Sequence, residues 1–309
     1  MSAPDDVPAF RAGFVAILGL PNVGKSTLLN RLVGERLSIV TPKAQTTRKN
    51  LLGIYSDEGH QAVFIDTPGL LTPRYALQRS MREDALSALE GADIAILVVD
   101  AGFEPSVGWA EDIAPEIGCR KFMFNNNIDR VSRDEIEGLE DRLAPLGDAS
   151  FGTVASKGTG VEALRKALLL ALPESPPYYP VDDLSDVPVR ELVAELVRET
   201  CLEELAEEVP YAVAVQVERF KERSGGKPTY IEATLFVERE SQKGIVVGAG
   251  GRTIRTIGSR SRTKIEALLG RQVYLDLRVK VLHNWRKRAD RLRVLGFRVP
   301  AEEDHHAGR

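Results

Sequence analysis

The sequence predicts an α/β domain, a mostly parallel sheet with helices on both faces, followed by a smaller α+β domain. Three observations carry this. From residue 13 to about 172, short apolar runs alternate with stretches of helical spacing, as in a parallel sheet wrapped by helices. Residues 172–186, LPESPPYYPVDDLSD, then break all periodicity with four prolines and two tyrosines. Beyond them come two period-two runs, a glycine loop between helix-like segments, and a third alternating run. At 309 residues the chain exceeds the usual single-domain size. Two domains are expected, 1–177 and 178–309, the second including the linker.

FVAILGL (14–20) is the first buried-strand pattern, and GLPNVGKST (19–27) follows it at once and opens a helical stretch. The spacing fits G-x-x-x-x-G-K-[ST] with Gly19, Gly24, Lys25 and Ser26, and Asn22, Val23 and Thr27 complete the loop. Glycines let backbone amides wrap phosphate oxygens, and the helix N-terminus adds a favourable dipole. Lys25 is expected to reach the β/γ-phosphates and Ser26 to take a Mg²⁺ position. The alternative is an unoccupied glycine turn, which the strand before and the helix after argue against. Next, PKAQTTRK (42–49) brings Thr46 and Thr47 in a polar segment where a hydroxyl can close over the metal. VFIDTPGL (63–70) ends an apolar run on Asp66, whose carboxylate is a second metal-side group, and Gly69 offers a backbone amide to the γ-phosphate. DIAILVVDA (93–101) and KFMFN (121–125) are two further strand patterns, and MREDALSALEG (81–91) a helical one.

After the linker, VRELVAELVRETCLEELAEEV (189–209) reads as an acidic helix. YAVAVQVERF (211–220) and YIEATLFVER (230–239) alternate with period two and join through Gly225-Gly226, which suits a hairpin. GIVVGAGGRTIRTIG (244–258) places Gly248, Ala249, Gly250 and Gly251 between two helix-like segments, with Arg252 and Arg255 following. A G-x-x-G loop lacking bulk lets a single-stranded RNA backbone approach. Alone it is a weak signal; flanked by three strands and trailed by arginines it is a strong one. VYLDLRVKV (273–281) closes the domain as a strand.

Charge separates along the chain. Residues 241–300 hold fifteen Lys/Arg against three acids, a net +12, and the chain total of −4 leaves −16 for the rest. That asymmetry points to a nucleic-acid or acidic-membrane surface on the C-terminal part, against the plainer reading of a solvated basic face. No run of about eighteen uncharged apolar residues exists to span a bilayer. MSAPDDVPAF (1–10) is acidic without an apolar signal core, so secretion is not expected. Cys119 and Cys201 stand far apart without metal-type spacing, which reads as free thiols in a cytosolic protein.

GLPNVGKS (19–26), QTTR (45–48), DTPG (66–69) and the basic C-terminal domain together resemble the Era family of bacterial ribosome-assembly GTPases, over roughly residues 10 to 300. The resemblance implies a P-loop GTPase domain followed by a type 2 KH domain. It further implies a GTP/GDP switch with Mg²⁺ that binds 16S ribosomal RNA near its 3′ end and assists small-subunit assembly. Asn22 is implied to help hold K⁺ against the phosphates; the other reading is a plain turn residue. The implied setting is a cytoplasmic monomer without a DNA partner, with a peripheral contact on the inner-membrane face as a further expectation.

Within that resemblance, FMFNNNIDRV (122–131) is where guanine is read. The family's Asn-Lys-x-Asp maps onto Asn126, Asn127, Ile128 and Asp129, with Asn127 where a lysine is usual. Asp129 would accept from guanine N1 and N2, a donor pair adenine lacks. Asn126 would face the base and brace the phosphate loop. Asn127 forfeits a stem packed on the base face, so affinity falls while guanine preference stays. The family's Ser-Ala pair aligns with Val154-Ala155, and the Ala155 amide is expected to donate to guanine O6. The competing reading of 125–129 is a helix-capping Asx cluster. In the KH loop, Ala249 stands where a lysine is usual. Leu70 stands where Ras-like enzymes place a water-orienting glutamine, so slow intrinsic hydrolysis is expected. Two alternatives remain open on residues alone: a nucleotide-gated RNA scaffold that barely hydrolyses, and an ATPase or kinase on the same loop.

Overall fold

A computed structural model describes residues 9–41, 43 and 46–299. Most of the N-terminal stretch 1–10, and Pro42, Ala44 and Gln45 of the 42–49 segment, lie outside the described residues. The chain divides into two compact units. The first lies within Met1–Ser38, Thr47–Leu71 and Asp84–Asp186, the second within Ile39–Thr46, Thr72–Glu83 and Val187–Arg309.

The first unit is built on β1 (Arg11–Leu18), α1 (Lys25–Val33), β2 (Leu51–Ser56) and β3 (His60–Asp66). After α2 (Ala76–Ser87), whose residues up to Glu83 belong to the second unit, β4 (Ile94–Asp100), α3 (Glu104–Ile113) and β5 (Arg120–Asn126) follow in the first, then α4 (Arg133–Leu143), β6 (Ala149–Gly152) and α5 (Val161–Ala171). The sheet order is β2-β3-β1-β4-β5-β6; only the β2–β3 pair is antiparallel. The interior strands are apolar almost without interruption, as strands covered on both faces must be. Leu18, Leu97, Val99 and Met123 build one core with Val107 and Ala110 of α3 and Leu139 and Leu143 of α4. The expected parallel sheet is thus present. Strands β2 and β6 were not expected: one carries Gly53 mid-run and the other is four half-buried residues.

The proline-rich segment is laid along this unit. Gln61 Oε1 accepts from the backbone N–H of Tyr178 (2.7 Å) and Tyr179 (3.0 Å), and Ile54 N–H donates to Leu184 O (2.8 Å). The Tyr178 ring sits 4.8 Å from that of Phe14.

The second unit holds α6 (Val189–Glu204), β7 (Ala214–Lys221), β8 (Thr229–Val237), α7 (Glu240–Val247), α8 (Arg252–Leu269), β9 (Val273–Val281) and α9 (Ala289–Val294). Its sheet runs β7-β8-β9, antiparallel then parallel, with a bulge at Val217/Arg219. The core is the inward alternation of all three strands, Val217, Ile231, Ala233, Leu235 and Val273 among them, against Val193, Val197 and Cys201 of α6 and Ile257 and Ile265 of α8. A second cluster seats the fully buried Trp285 with Leu292, Phe297, Ala214 and the α2 residues Ala76, Leu77 and Met81. In the same unit Lys43 Nζ donates to the carbonyls of Leu202 and Leu205 (2.6 Å for the second), and Arg198 donates to Thr46 O. No helix among the described residues is long and apolar enough to cross a membrane.

Candidate nucleotide site and nucleic-acid interface

The phosphate loop turns at Gly24, whose φ of +107° is open to glycine alone; a Cβ there would stand 2.3 Å from Asn126 Nδ2. A Cβ at Gly19 would stand 2.6 Å from Val98 O, and one at Gly69 2.7 Å from the Pro21 backbone. Asn22 is exposed at φ +67°, a value that asparagine tolerates. Val23 is buried, Thr27 half-buried at the start of α1. Lys25 is 6% exposed, its Nζ donating to Gly19 O (3.1 Å) and Leu20 O (2.8 Å). Burial pulls its ammonium down to about 8, against the opposing attraction of Asp66.

Ser26, Thr47 and Asp66, drawn from three separate motifs, meet at one carboxylate. Asp66 Oδ2 accepts from Ser26 Oγ (2.7 Å) and Thr47 Oγ1 (3.2 Å), and the two hydroxyls are 2.9 Å apart. Ser38 Oγ joins them at 2.8 Å. The motif reading missed Ser38. It is delivered by Asn30, whose Oδ1 accepts from the N–H of Leu37 and Ser38 (2.9 Å each), and the local sequence RLSIVT announces nothing. Burial pushes the Asp66 carboxyl up, opposed first by Lys25 and then by the hydroxyl donors. Its other oxygen, Oδ1, is buried without a hydrogen-bond partner.

This donor set fits Mg²⁺, a hard cation that takes one or two carboxylates and hydroxyls and completes its shell with phosphate oxygens and water. The orphaned Oδ1 gives it a ready acceptor. Among the described residues no group of three or more His, Cys, Asp or Glu forms an all-protein cage for any metal.

The base-side residues are brought to one end of the sheet. Asn126 is a bracket: Nδ2 donates to Val23 O (2.8 Å) and Oδ1 accepts the Ala155 N–H (2.9 Å). The expected bracing of the phosphate loop is present, whereas the Ala155 amide, expected to point at the base, is engaged by Asn126. Asn127 stands at φ +61° and donates to Asp100 Oδ2 (2.9 Å). Asp129 is exposed and paired with Lys157 Nζ (2.7 Å), which holds its carboxyl below the usual range. Lys157, like Asp100, was missed from sequence. The Asx-cap alternative does not describe 125–129, since Ser132 caps α4 through a reciprocal box with Glu135. Leu70 is 6% exposed, its side chain in the core beside Leu18 and Leu97, and cannot orient a water.

In the second unit α7 ends at Gly248, Ala249–Gly251 make one tight turn, and α8 begins at Arg252. Gly248, Gly250 and Gly251 have φ of +73°, +59° and +75°. A Cβ at Gly248 would meet Thr253 Oγ1 at 2.2 Å. Arg255 donates back to Gly251 O (3.0 Å) and Gly250 O, and Arg252 to Ala249 O (3.4 Å). Beside the loop runs an open groove of about 390 Å³ lined by Ile254, Arg255, Gly258, Ser259, Arg262, Tyr274, Leu275 and Leu277. Its far wall is β9, an edge strand. The basic charge is less free than its count suggests. Arg260 pairs with Glu204, Lys264 with Glu199 and Glu203, and Arg286 with the buried Glu238, whereas Arg252, Arg255 and Arg262 are exposed.

Residues 14–126 match the family model described as 50S ribosome-binding GTPase, and residues 208–286 match the KH domain. GTPase Era of Lacticaseibacillus paracasei is 45% identical over 93% of this chain and 96% of its own length. GTPase Era of Afipia carboxidovorans is 41% identical over 97% and 100%. Two solved structures each match at TM-score 0.87 over 93% of this chain and 99% of theirs. One is Era with MgGDPNP and nucleotides 1506–1542 of 16S ribosomal RNA, 37% identical; the other is a point variant of Aquifex aeolicus Era bound to GDP·AlF4⁻, 36% identical. Phosphate loop, hydroxyl–carboxylate cluster and glycine loop thus stand in a chain of matching length and order, and the chain belongs to the GTPase Era family.

Proposed function

We propose that the chain is a GTP-hydrolysing switch that binds single-stranded RNA of the 16S 3′ region and assists small-subunit assembly. The observation that carries this is the match, across both units, to the relative solved with MgGDPNP and a 16S fragment. The GTPase family description speaks of the 50S subunit, but it covers residues 14–126 alone, and the relative matched over both units supports 16S RNA as the partner.

In this reading the backbone of Gly19 and of residues 22–24, with Lys25 and Thr27, cradles the phosphates. Ser26, Thr47 and Asp66 hold Mg²⁺, which when bound neutralises charge on the β/γ oxygens. Gly69 N–H and an ion held by Asn22 face the γ-phosphate. With Leu70 buried, no side chain follows Gly69 to place the attacking water, and the intrinsic rate is low. Guanine choice rests on Asp129, with Asn126 as brace; Lys157 lends the lysine that Asn127 lacks, and Ala155 acts through Asn126. The loop Gly248–Gly251 with Arg252 and Arg255 takes the RNA backbone, and the unpaired N–H and C=O groups of edge strand β9 read bases. The two modules of this reading are 1–177 and 178–309, with 178–186 a linker laid along the first, and the protein works as a cytoplasmic monomer with a peripheral inner-membrane contact and no DNA partner.

The test is multiple-turnover phosphate release with and without K⁺ and 16S 3′ RNA. Stimulation by both is expected. Tight binding of GTP and RNA with no release above the uncatalysed rate would replace the enzyme by a scaffold. Lys25→Ala should abolish nucleotide binding and leave RNA binding intact.

A further inference from the structure

Tyr274, the second residue of β9, faces away from the helices and pairs in register with Tyr230 of β8. Their rings stack with centroids 5.8 Å apart and 14° between planes, and the Arg223 guanidinium lies 5.0 Å over the Tyr230 ring. Three planar groups therefore follow one another across the sheet, from the β7–β8 hairpin through β8 to β9. Because β9 is the edge, no strand among the described residues continues the row beyond Tyr274. Tyr274 is 59% exposed, among the most exposed large hydrophobic residues described. It also forms the lip of the groove that Arg255, Ser259 and Arg262 line from α8.

An aromatic stack that ends on an open ring beside an arginine-lined groove suits a base leaving that groove. A ring so exposed gains little from folding, whereas Tyr230 and Arg223 fix its orientation, so little freedom is lost when a base lands on it. We propose that Tyr274 is a stacking subsite for one nucleobase of single-stranded RNA flanking the groove-bound segment, with Tyr230 and Arg223 as its backing. The subsite is tolerant of base identity, since every base presents a π-face. The inference rests on the RNA-binding reading above.

Full-length protein saturated with a non-hydrolysable GTP analogue would be titrated at fixed salt with a tetranucleotide, the length a glycine loop of this kind clamps. The same RNA extended by two nucleotides at either end would carry 2-aminopurine at the added positions. The wild type should bind one extended RNA about tenfold or more tighter than the core, with its 2-aminopurine quenched. Tyr274→Ala should lose the gain and the quenching while weakening the tetranucleotide far less than the extended RNA, and Tyr274→Phe should keep both. Equal binding of the extended RNA by wild type and Tyr274→Ala would overturn the subsite. So would an equal loss on the tetranucleotide, which would make Tyr274 structural. A wild type that binds neither RNA would instead remove the RNA-binding reading itself.

Discussion

Lys25 and Asp66 share a buried site in which burial favours the neutral form of each and the charge of the other opposes it. Lys25 sits near 8 in the folded chain against an ordinary 10.5. Between those values the unfolded chain binds more protons than the folded one, so this group makes the fold more stable as pH rises through the window. Nucleotide binding has the opposite sign. Phosphate charge raises the Lys25 value again, so binding takes up a proton above pH 8 and affinity falls by up to about tenfold per pH unit there. GDP titrations from about pH 7 to 9.5, in two buffers of different ionisation enthalpy, check it; a flat profile without proton uptake would refute it. Asn127 allows a second prediction. Asn127→Lys removes the bond to Asp100 and sets a longer side chain at φ +61°, at a cost of about 1 kcal/mol in stability. It also restores a stem for the base face. GDP should bind severalfold tighter with the guanine-over-adenine ratio unchanged, while the melting temperature drops a few degrees; unchanged GDP affinity would mean that Lys157 already covers the base. Ser26 and Asp66 were legible as neighbours because motif spacing fixes them. Ser38 and Lys157 were not, because each arrives through a tertiary contact, Asn30 for one and Asp129 for the other.

Elements were legible where period and punctuation agreed. The hairpin at Gly225-Gly226, the helix–glycine–helix and the alternating β9 stand where expected. Strand β2 escaped because Gly53 interrupts LLGIYS. The structure gives the reason for that glycine, since a Cβ there would lie 2.8 Å from both Leu29 and Val33 of α1. A helix seated that close on a strand excludes the side chain that would have completed the pattern. Trp285 tests the same idea in the second unit. Its indole N–H donates to Ala212 O (2.9 Å), and its cluster includes Ala76, Leu77 and Met81 from far upstream. A fragment beginning at residue 187 keeps the main core of β7–β9 with α6 and α8 but loses those three residues. It should fold cooperatively, yet its sole tryptophan should emit at longer wavelength than Trp285 does in a full-length Trp109→Phe chain. Matching emission would show that the α2 residues contribute no cover.

Across the whole molecule, two consecutive residues are engaged in different ways. The Thr46 carbonyl accepts from Arg198 of α6, a side chain 2% exposed, and the Thr47 hydroxyl bonds Ser26 and Asp66 at the metal-side cluster. If a phosphate-bound cation draws the Thr47 backbone inward, the Thr46 carbonyl is expected to shift with it, because that carbonyl and the Thr47 N–H share one planar peptide. On that expectation nucleotide state would bear on the Arg198 bond to Thr46 and so on α6, which pairs through Glu199 and Glu203 with Lys264 and through Glu204 with Arg260. By linkage, GTP and RNA should strengthen each other by one common factor, typically about 5- to 150-fold for coupled sites. Arg198→Met keeps the buried stem and removes the donor to Thr46. It should pull that factor toward one while the affinity for each ligand alone stays near wild type. RNA contacts through Arg252, Arg255 and Arg262 give a salt dependence of log affinity near about −2, from about −0.7 per phosphate neutralised on a single strand. The measurement is RNA affinity at fixed salt with GDP and with a non-hydrolysable GTP analogue, for wild type and Arg198→Met. If the wild type binds RNA equally in both nucleotide states, the two modules work independently and the switch is lost; if Arg198→Met keeps the full factor, the coupling runs through other contacts.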